Sequence, residues 1–188
     1  MSLPHILSTP RTAMMLVFAA FGAVVGAFSG SIPALVRQTG ITSEAFGLAL
    51  TGLTLTNIVV MALGGAMSRR FAGRHVLLAA LPLLAATLAV MMMAQTVMIF
   101  IVAMLAHGLV LGVTDLTMNA EGSAIEHDLQ RPVFTSFHAC LSASLAVFAI
   151  ASSSLTIRFG PLSAAAAALA VVAAACLWGW RVVPAPPA

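Results

Sequence analysis

The sequence predicts an all-α membrane protein of six transmembrane helices, and three observations carry that prediction. First, the chain of 188 residues is 61% hydrophobic and only 7% charged, with a mean hydropathy of +1.10. A soluble domain carries roughly 25% charged residues, so this chain cannot cover a water-facing surface. Second, the apolar residues gather into six runs, each near the ~20 residues needed to cross a hydrocarbon core of about 30 Å. Third, the charged residues fall almost entirely between the runs; Asp115 is the acid that lies inside one.

The first span covers 12–36 and is ended by the polar stretch 37–40. Arg11 followed by an apolar run has the look of a signal peptide. The run 14–36 is nevertheless long enough to span, and further spans follow, so a retained first helix is expected. The second covers 43–68, with Ser43 as N-cap and Glu44 in the favourable first turn. The third covers 74–94. The fourth covers 97–119, with a continuation toward Glu126. The fifth covers 132–158, with Pro132 suited to a first helical position. The sixth covers 161–183 and ends in Trp178, Trp180 and Arg181, where interface anchors belong. The tail 184–188 is rich in Pro and Ala and is expected to be mobile.

All eight basic residues are Arg, and their distribution orients the bundle. Arg11, Arg69, Arg70, Arg74, Arg131 and Arg181 fall on one side; Arg37 and Arg158 fall on the other. The first side is therefore expected to be cytoplasmic, with both termini inside. Glu121, Glu126 and Asp128 lie at the cytoplasmic end of the fourth span and in the turn beyond it, with Asp115 just upstream inside the span. Water reaches acids placed there.

An internal repeat is also expected. GAVVGAFSGSIP (22–33) and GLVLGVTDLTMN (108–119) share Gly-xxx-Gly at the same offset, so Ser29 matches Asp115 and Pro33 matches Asn119. The two segments run in opposite directions, giving a three-plus-three inverted repeat of the kind many secondary transporters show. Gly-xxx-Gly by itself is also a common helix-packing signal.

The candidate functional residues follow from position. His107 stands near the bilayer midplane, where an ionisable group is costly and functional by default. It can carry protons near neutral pH, or serve as a neutral hydrogen-bonding group between helices. On a continuous helix Asp115, Asn119, Gly122 and Glu126 share one face, with His107 about 80° away. That stripe suits a polar cavity or a gate, and a structural Asp is the plainer reading. His138, a little over a turn into the fifth span, can approach Asp115 or Glu126. Asn57, with Thr54 and Thr51 above it, forms a polar stripe on the second span, although such threonines often bond only their own backbone. Arg69, Arg70, Arg74, Glu121, Glu126 and Arg131 form a candidate cytoplasmic gate. Cys140 and Cys176 read as small apolar side chains. The triplet 91–93 of methionines and the Ala run 164–168 read as packing or lipid-facing elements. No metal-ligand spacing, nucleotide loop or hydrolase motif stands in plausible context, so neither an enzyme nor a cofactor is expected.

These motifs carry a resemblance. The loop GGAMSRRFAGRHVLL resembles the cytoplasmic loop between the second and third helices of major facilitator superfamily transporters. SGSIPALVRQTGITSEAFGLALTG (29–52) and GVTDLTMNAEGSAIEHDLQRPVFTSFHA (112–139) are similar to a poorly characterised subgroup of bacterial inner-membrane permeases in that superfamily. The likeness covers nearly all of 14–160. Departures are Arg69 where the superfamily loop usually has Asp, Ala72 where it has Gly, Ser31 where the subgroup has Arg, and Ser142-Ala143-Ser144 at the Gly-rich start of the fifth helix.

The resemblance implies the N-terminal six-helix half of a transporter with about twelve helices, located in the bacterial inner membrane. Such a half rocks against a second half around a midplane site. The implied partners are the lipid bilayer, a small solute, protons, and a second six-helix half supplied by a parallel homodimer or a C-terminal half. No Arg near the midplane favours an anionic solute, and no Tyr or mid-membrane Trp is present to stack on a sugar. A small neutral or lipophilic solute is expected, and the subgroup points to a sugar-like or drug-like compound. The competing expectation is a non-transporting membrane subunit or a truncated piece that only folds and packs.

Overall fold

The computed structural model, described for residues 10–67 and 73–182, consists of six α-helices: α1 (Pro10–Thr39), α2 (Ser43–Met67), α3 (Gly73–Met93), α4 (Val97–Leu129), α5 (Phe134–Phe159) and α6 (Leu162–Val182). No strand occurs among the described residues, and all six helices are long and apolar enough to cross a membrane. Arg69, Arg70, the side chain of Arg74 and the 184–188 tail lie outside the described residues.

Helix ends depart from expectation for local reasons. Thr42, not Ser43, caps α2: its Oγ1 accepts from the Ala45 N–H at 3.2 Å. α4 runs 33 residues, about 50 Å, and so outreaches a hydrocarbon core of about 30 Å. Thr96 caps its start by accepting from the Ile99 N–H, and Gln130 ends it in the left-handed conformation with φ 49°. Pro132 precedes α5 rather than opening it, because α5 begins at Phe134, whose N–H donates to Glu126 Oε2 at 2.6 Å. At the other end of the bundle, Gln38 Nε2 donates to the carbonyls of Met92 (3.0 Å) and Ala94 (2.7 Å), joining the ends of α1 and α3.

The helix packing has the inverted symmetry expected of the repeat. The most extensive crossings are α1 with α5 and α2 with α4, followed by α3 with α4 and α1 with α6. Exchanging α1 with α4, α2 with α5 and α3 with α6 maps each of these pairs onto its counterpart. The glycines explain the two main crossings. A Cβ at Gly22 or Gly26 of α1 would meet the carbonyl oxygen of Leu141 or Leu145 of α5. A Cβ at Gly108 or Gly112 of α4 would meet the carbonyl oxygen of Leu53 or Asn57 of α2. The same spacing on both partners puts Leu141 and Leu145 in register with Leu53 and Asn57. Membrane helices gain contact where small residues let backbones approach, since lipid tails offer no hydrophobic drive.

The register extends to hydroxyl groups. Ser144 Oγ of α5 donates to the Ala19 carbonyl of α1 at 2.7 Å. The corresponding Thr56 of α2 lies 3.5 Å from the corresponding Leu105 carbonyl of α4. The core between the crossings is apolar, with Phe18, Phe100, Phe137, Leu81, Leu84 and Leu88 fully buried. Met91 and Met92 are buried and Met93 is exposed, while Ala164, Ala165 and Ala168 pack closely inside. Cys140 and Cys176 are free thiols, both half-buried.

Candidate functional site

The candidate site is built on α4 and completed by α5. Asn119 Nδ2 donates to Asp115 Oδ1 at 2.7 Å and to the Asp115 carbonyl at 2.8 Å, so both amide hydrogens are spent one turn back. What remains open is Asp115 Oδ2 and Asn119 Oδ1, both acceptors. Both residues are half-buried. His138 of α5 lies within electrostatic reach of Asp115. Its ring is exposed on one side and held edge-on by Phe18 (5.2 Å) and Phe134 (4.9 Å) on the other. A carboxylate oxygen and an amide oxygen are therefore left open side by side on α4, with the His138 imidazole of α5 within electrostatic reach of the carboxylate. A half-exposed carboxylate at this depth does not face lipid, so the face suits a polar cavity. Chemically, the group can take up a proton or a hydrogen-bond donor.

On α1 the residues in register with Asp115 and Asn119, namely Ser29 and Pro33, are exposed. The two antiparallel helices at the pseudo-twofold axis thus each turn this part of their surface outward, polar on α4 and nearly neutral on α1.

His107 is elsewhere. It is 2% exposed, with Nδ1 at 2.8 Å from Thr87 Oγ1 of α3 and its ring 6.4 Å from that of Phe28 of α1. Thr87 has one hydroxyl hydrogen and also reaches the Leu84 carbonyl at 2.9 Å. If that bond is made, the imidazole must donate from Nδ1, a tautomer assigned from the network. The structure pairs Asp115 with Asn119, leaves His138 of α5 within electrostatic reach, and sets His107 at the α1–α3–α4 junction.

The other candidates divide. Asn57 is half-buried with its carbonyl against Gly112, while the hydroxyls of Thr51 and Thr54 donate to the Gly47 and Leu50 carbonyls. Glu121 lies over Gly73 at the start of α3, where a Cβ would collide with its Oε1. It rims a cavity of about 340 Å³ between α2, α3 and α4. Glu126 caps α5. Arg131 is exposed. Among the described residues His127 Nδ1 lies 3.8 Å from Asp128 Oδ1, both side chains exposed, an ion pair when His127 is protonated. Spacing along one helix carries no signal of Thr87, Gln38 or Ser144, whose hydrogen-bond partners lie on other helices.

Because Glu126 holds a backbone N–H at the first turn of α5, Glu126→Ala should lower unfolding stability by about 1 kcal/mol, the usual cost of a lost cap. Glu126→Gln keeps an acceptor oxygen and should lose less. Titration with a denaturing detergent, read by circular dichroism, checks both. Equal losses would mean that negative charge matters more than the hydrogen bond.

The fold and the open face define a class: a six-helix membrane unit of inverted repeats, with the architecture of a major facilitator half and resembling that superfamily's N-terminal half. The comparisons with known proteins agree. An uncharacterized transporter of Sinorhizobium fredii is 28% identical over 137 residues, covering 72% of this chain and 36% of the relative. An uncharacterized MFS-type transporter of Yersinia pestis is 25% identical over 127 residues, covering 68% of this chain and 33% of the relative. The chain spans about a third of the length of the curated relatives it matches. No family model matches.

Proposed function

We propose that the chain is one half of a proton-coupled secondary transporter of the bacterial inner membrane, oriented with both termini and the acid-rich end of α4 in the cytoplasm. It pairs with a second six-helix unit, either another copy or a further half. A small neutral or lipophilic solute passes between them by alternating access. The observation that carries this reading is the open Asp115–Asn119 face, with His138 within electrostatic reach, a polar group at membrane depth with no place against lipid.

In this mechanism Asp115 takes up and releases the coupling proton, Asn119 fixes the carboxylate, and His138 tunes it across the helix gap. His107, paired with Thr87, is a second proton-carrying candidate inside the unit. Asn57 is a solute-facing candidate on α2. Arg69, Arg70, Arg74 and Arg131 exchange partners with Glu121 and Glu126 as the cytoplasmic side opens and closes. The chemistry is transport, with no bond made or broken in the solute and no cofactor needed. The names of the two relatives support the transport reading.

Native mass spectrometry in mild detergent tests the pairing, together with solute-induced proton flux in proteoliposomes screened over small neutral and lipophilic solutes. A dimer or a two-unit complex that moves protons with solute is expected. A strict monomer with no flux would support a unit that only folds and packs.

A further inference from the structure

α2 is attached to the bundle differently from its counterpart α5. α5 packs on α1, α6 and α4, whereas among the described residues α2 packs substantially on α4 alone. The two main crossings also differ at one end. On α1, Gly30 lets the Ala149 carbonyl of α5 come into direct contact. The register places Leu116 at that point on α4, and its Cδ2 sits over Gly64 of α2. Leu116 is thus a wedge at the α2–α4 crossing.

Beyond the wedge lies the cavity of about 340 Å³, walled by Val60, Leu63, Val113 and Thr117, with Glu121 at its rim. In the register, Val113, Thr117 and Glu121 correspond to Ala27, Ser31 and Leu35; these last three are fully buried, whereas Val113 and Glu121 are half-buried and Thr117 is 8% exposed. One side of the repeat is closed and the other borders a cavity. The hydroxyls report the same difference. Ser144 makes its interhelical bond, whereas Thr56 spends its hydrogen on the Leu53 carbonyl at 2.8 Å and stands 3.5 Å from Leu105 O. A bond of full strength there needs an approach to about 2.8 Å.

We propose that α2 is the moving helix of this unit. It rocks on the Gly108–Gly112 crossing. When Leu116 turns off Gly64, α2 closes the cavity, Thr56 transfers its hydrogen bond to Leu105 O, and Glu121 is shut in. The tight α1–α5 crossing stays still. The proposal does not depend on transport, so it can fail or hold independently of the proposed function.

The test uses thiol labelling of the full chain in lipid nanodiscs, after Cys140→Ala and Cys176→Ala. Thr117→Cys reports on the cavity, and Ser31→Cys reports on the corresponding closed position. A small methanethiosulfonate reagent should label Thr117→Cys several-fold faster than Ser31→Cys. Leu116→Ala, by removing the wedge, should slow labelling of Thr117→Cys several-fold. Adding Thr56→Val should restore the rate by removing the closed-state bond. Gly64→Ala, whose methyl meets, among the described residues, the flexible end of Leu116, should accelerate it and leave Ser31→Cys unchanged. Faster labelling in Leu116→Ala would mean that α2 stays in place over a larger hole, and that overturns the proposal. Should Leu116→Ala fail to fold, Gly64→Ala decides: no change at Thr117→Cys, or an equal change at Ser31→Cys, overturns it as well.

Discussion

Gly26→Ala is expected to destabilise the protein by about 1 kcal/mol, while Gly47→Ala is expected to leave it unchanged or stabilise it by up to about 1 kcal/mol. Both glycines sit inside apolar helices, but Gly26 belongs to the Gly-xxx-Gly packing signal and Gly47 does not. The difference lies in what a methyl group meets. At Gly26 it falls on the Leu145 carbonyl oxygen, with Phe148 Cβ at 2.9 Å and Ala149 N at 3.0 Å. Two of these three atoms belong to the α5 backbone, so no side-chain rotation relieves the clash and the helix must move. Overpacking of this kind costs typically 1–3 kcal/mol, partly offset by the roughly 1 kcal/mol by which Ala favours helix over Gly. At Gly47 nothing lies within 4 Å, so only the propensity gain remains. Unfolding in mixed micelles, followed by helical circular dichroism, measures both variants. Equal responses would show that α1 and α5 do not cross backbone against backbone.

The second large effect concerns Asp115. With the proposed two-half unit reconstituted in liposomes, Asp115→Asn should reduce solute-induced proton flux by about two orders of magnitude, the size seen when a positioned proton-transfer group is removed. Asparagine keeps the shape and can still meet Asn119, so the fold should survive and unfolding stability should change little. Asn119→Ala should lower flux less, since it frees the carboxylate without removing it. A dye that reports internal pH gives the readout. Wild-type flux in Asp115→Asn would remove the carboxylate from the coupling role and leave it a structural group on α4.

Much of this architecture is legible in the residues, and the limits have physical reasons. Six spans follow from length and hydropathy, because a membrane-crossing helix must be long and apolar. The repeat is visible in Gly22, Gly26, Gly108 and Gly112, because close backbone approach needs the same residue on both sides of the symmetry. The reach of α4 past Asn119 is harder to see. Glu121 and Glu126 break the apolar run but not the helix, which ends only where Gln130 takes positive φ. Glu126 reads as a gate acid from its charge, yet its carboxylate holds the Phe134 N–H, a contact that depends on the turn geometry. His107 is predictable as a midplane group, but its partner Thr87 is set by how α3 packs on α4. The pairing of Asp115 with Asn119 lies within one helix at i and i+4, and that part of the site was readable from spacing alone.

Coupling through Asp115 requires that α4 cross the membrane with its acid-rich end in the cytoplasm. Gln95 and Gln130 flank that helix and are both exposed. In a background without native cysteines, Gln130→Cys should react with an impermeant maleimide only from the cytoplasmic side, and Gln95→Cys only from the outer side. Labelling of both from one side, or of Gln130→Cys from outside, would contradict the six-span arrangement or its orientation, and with it the coupling role given to Asp115.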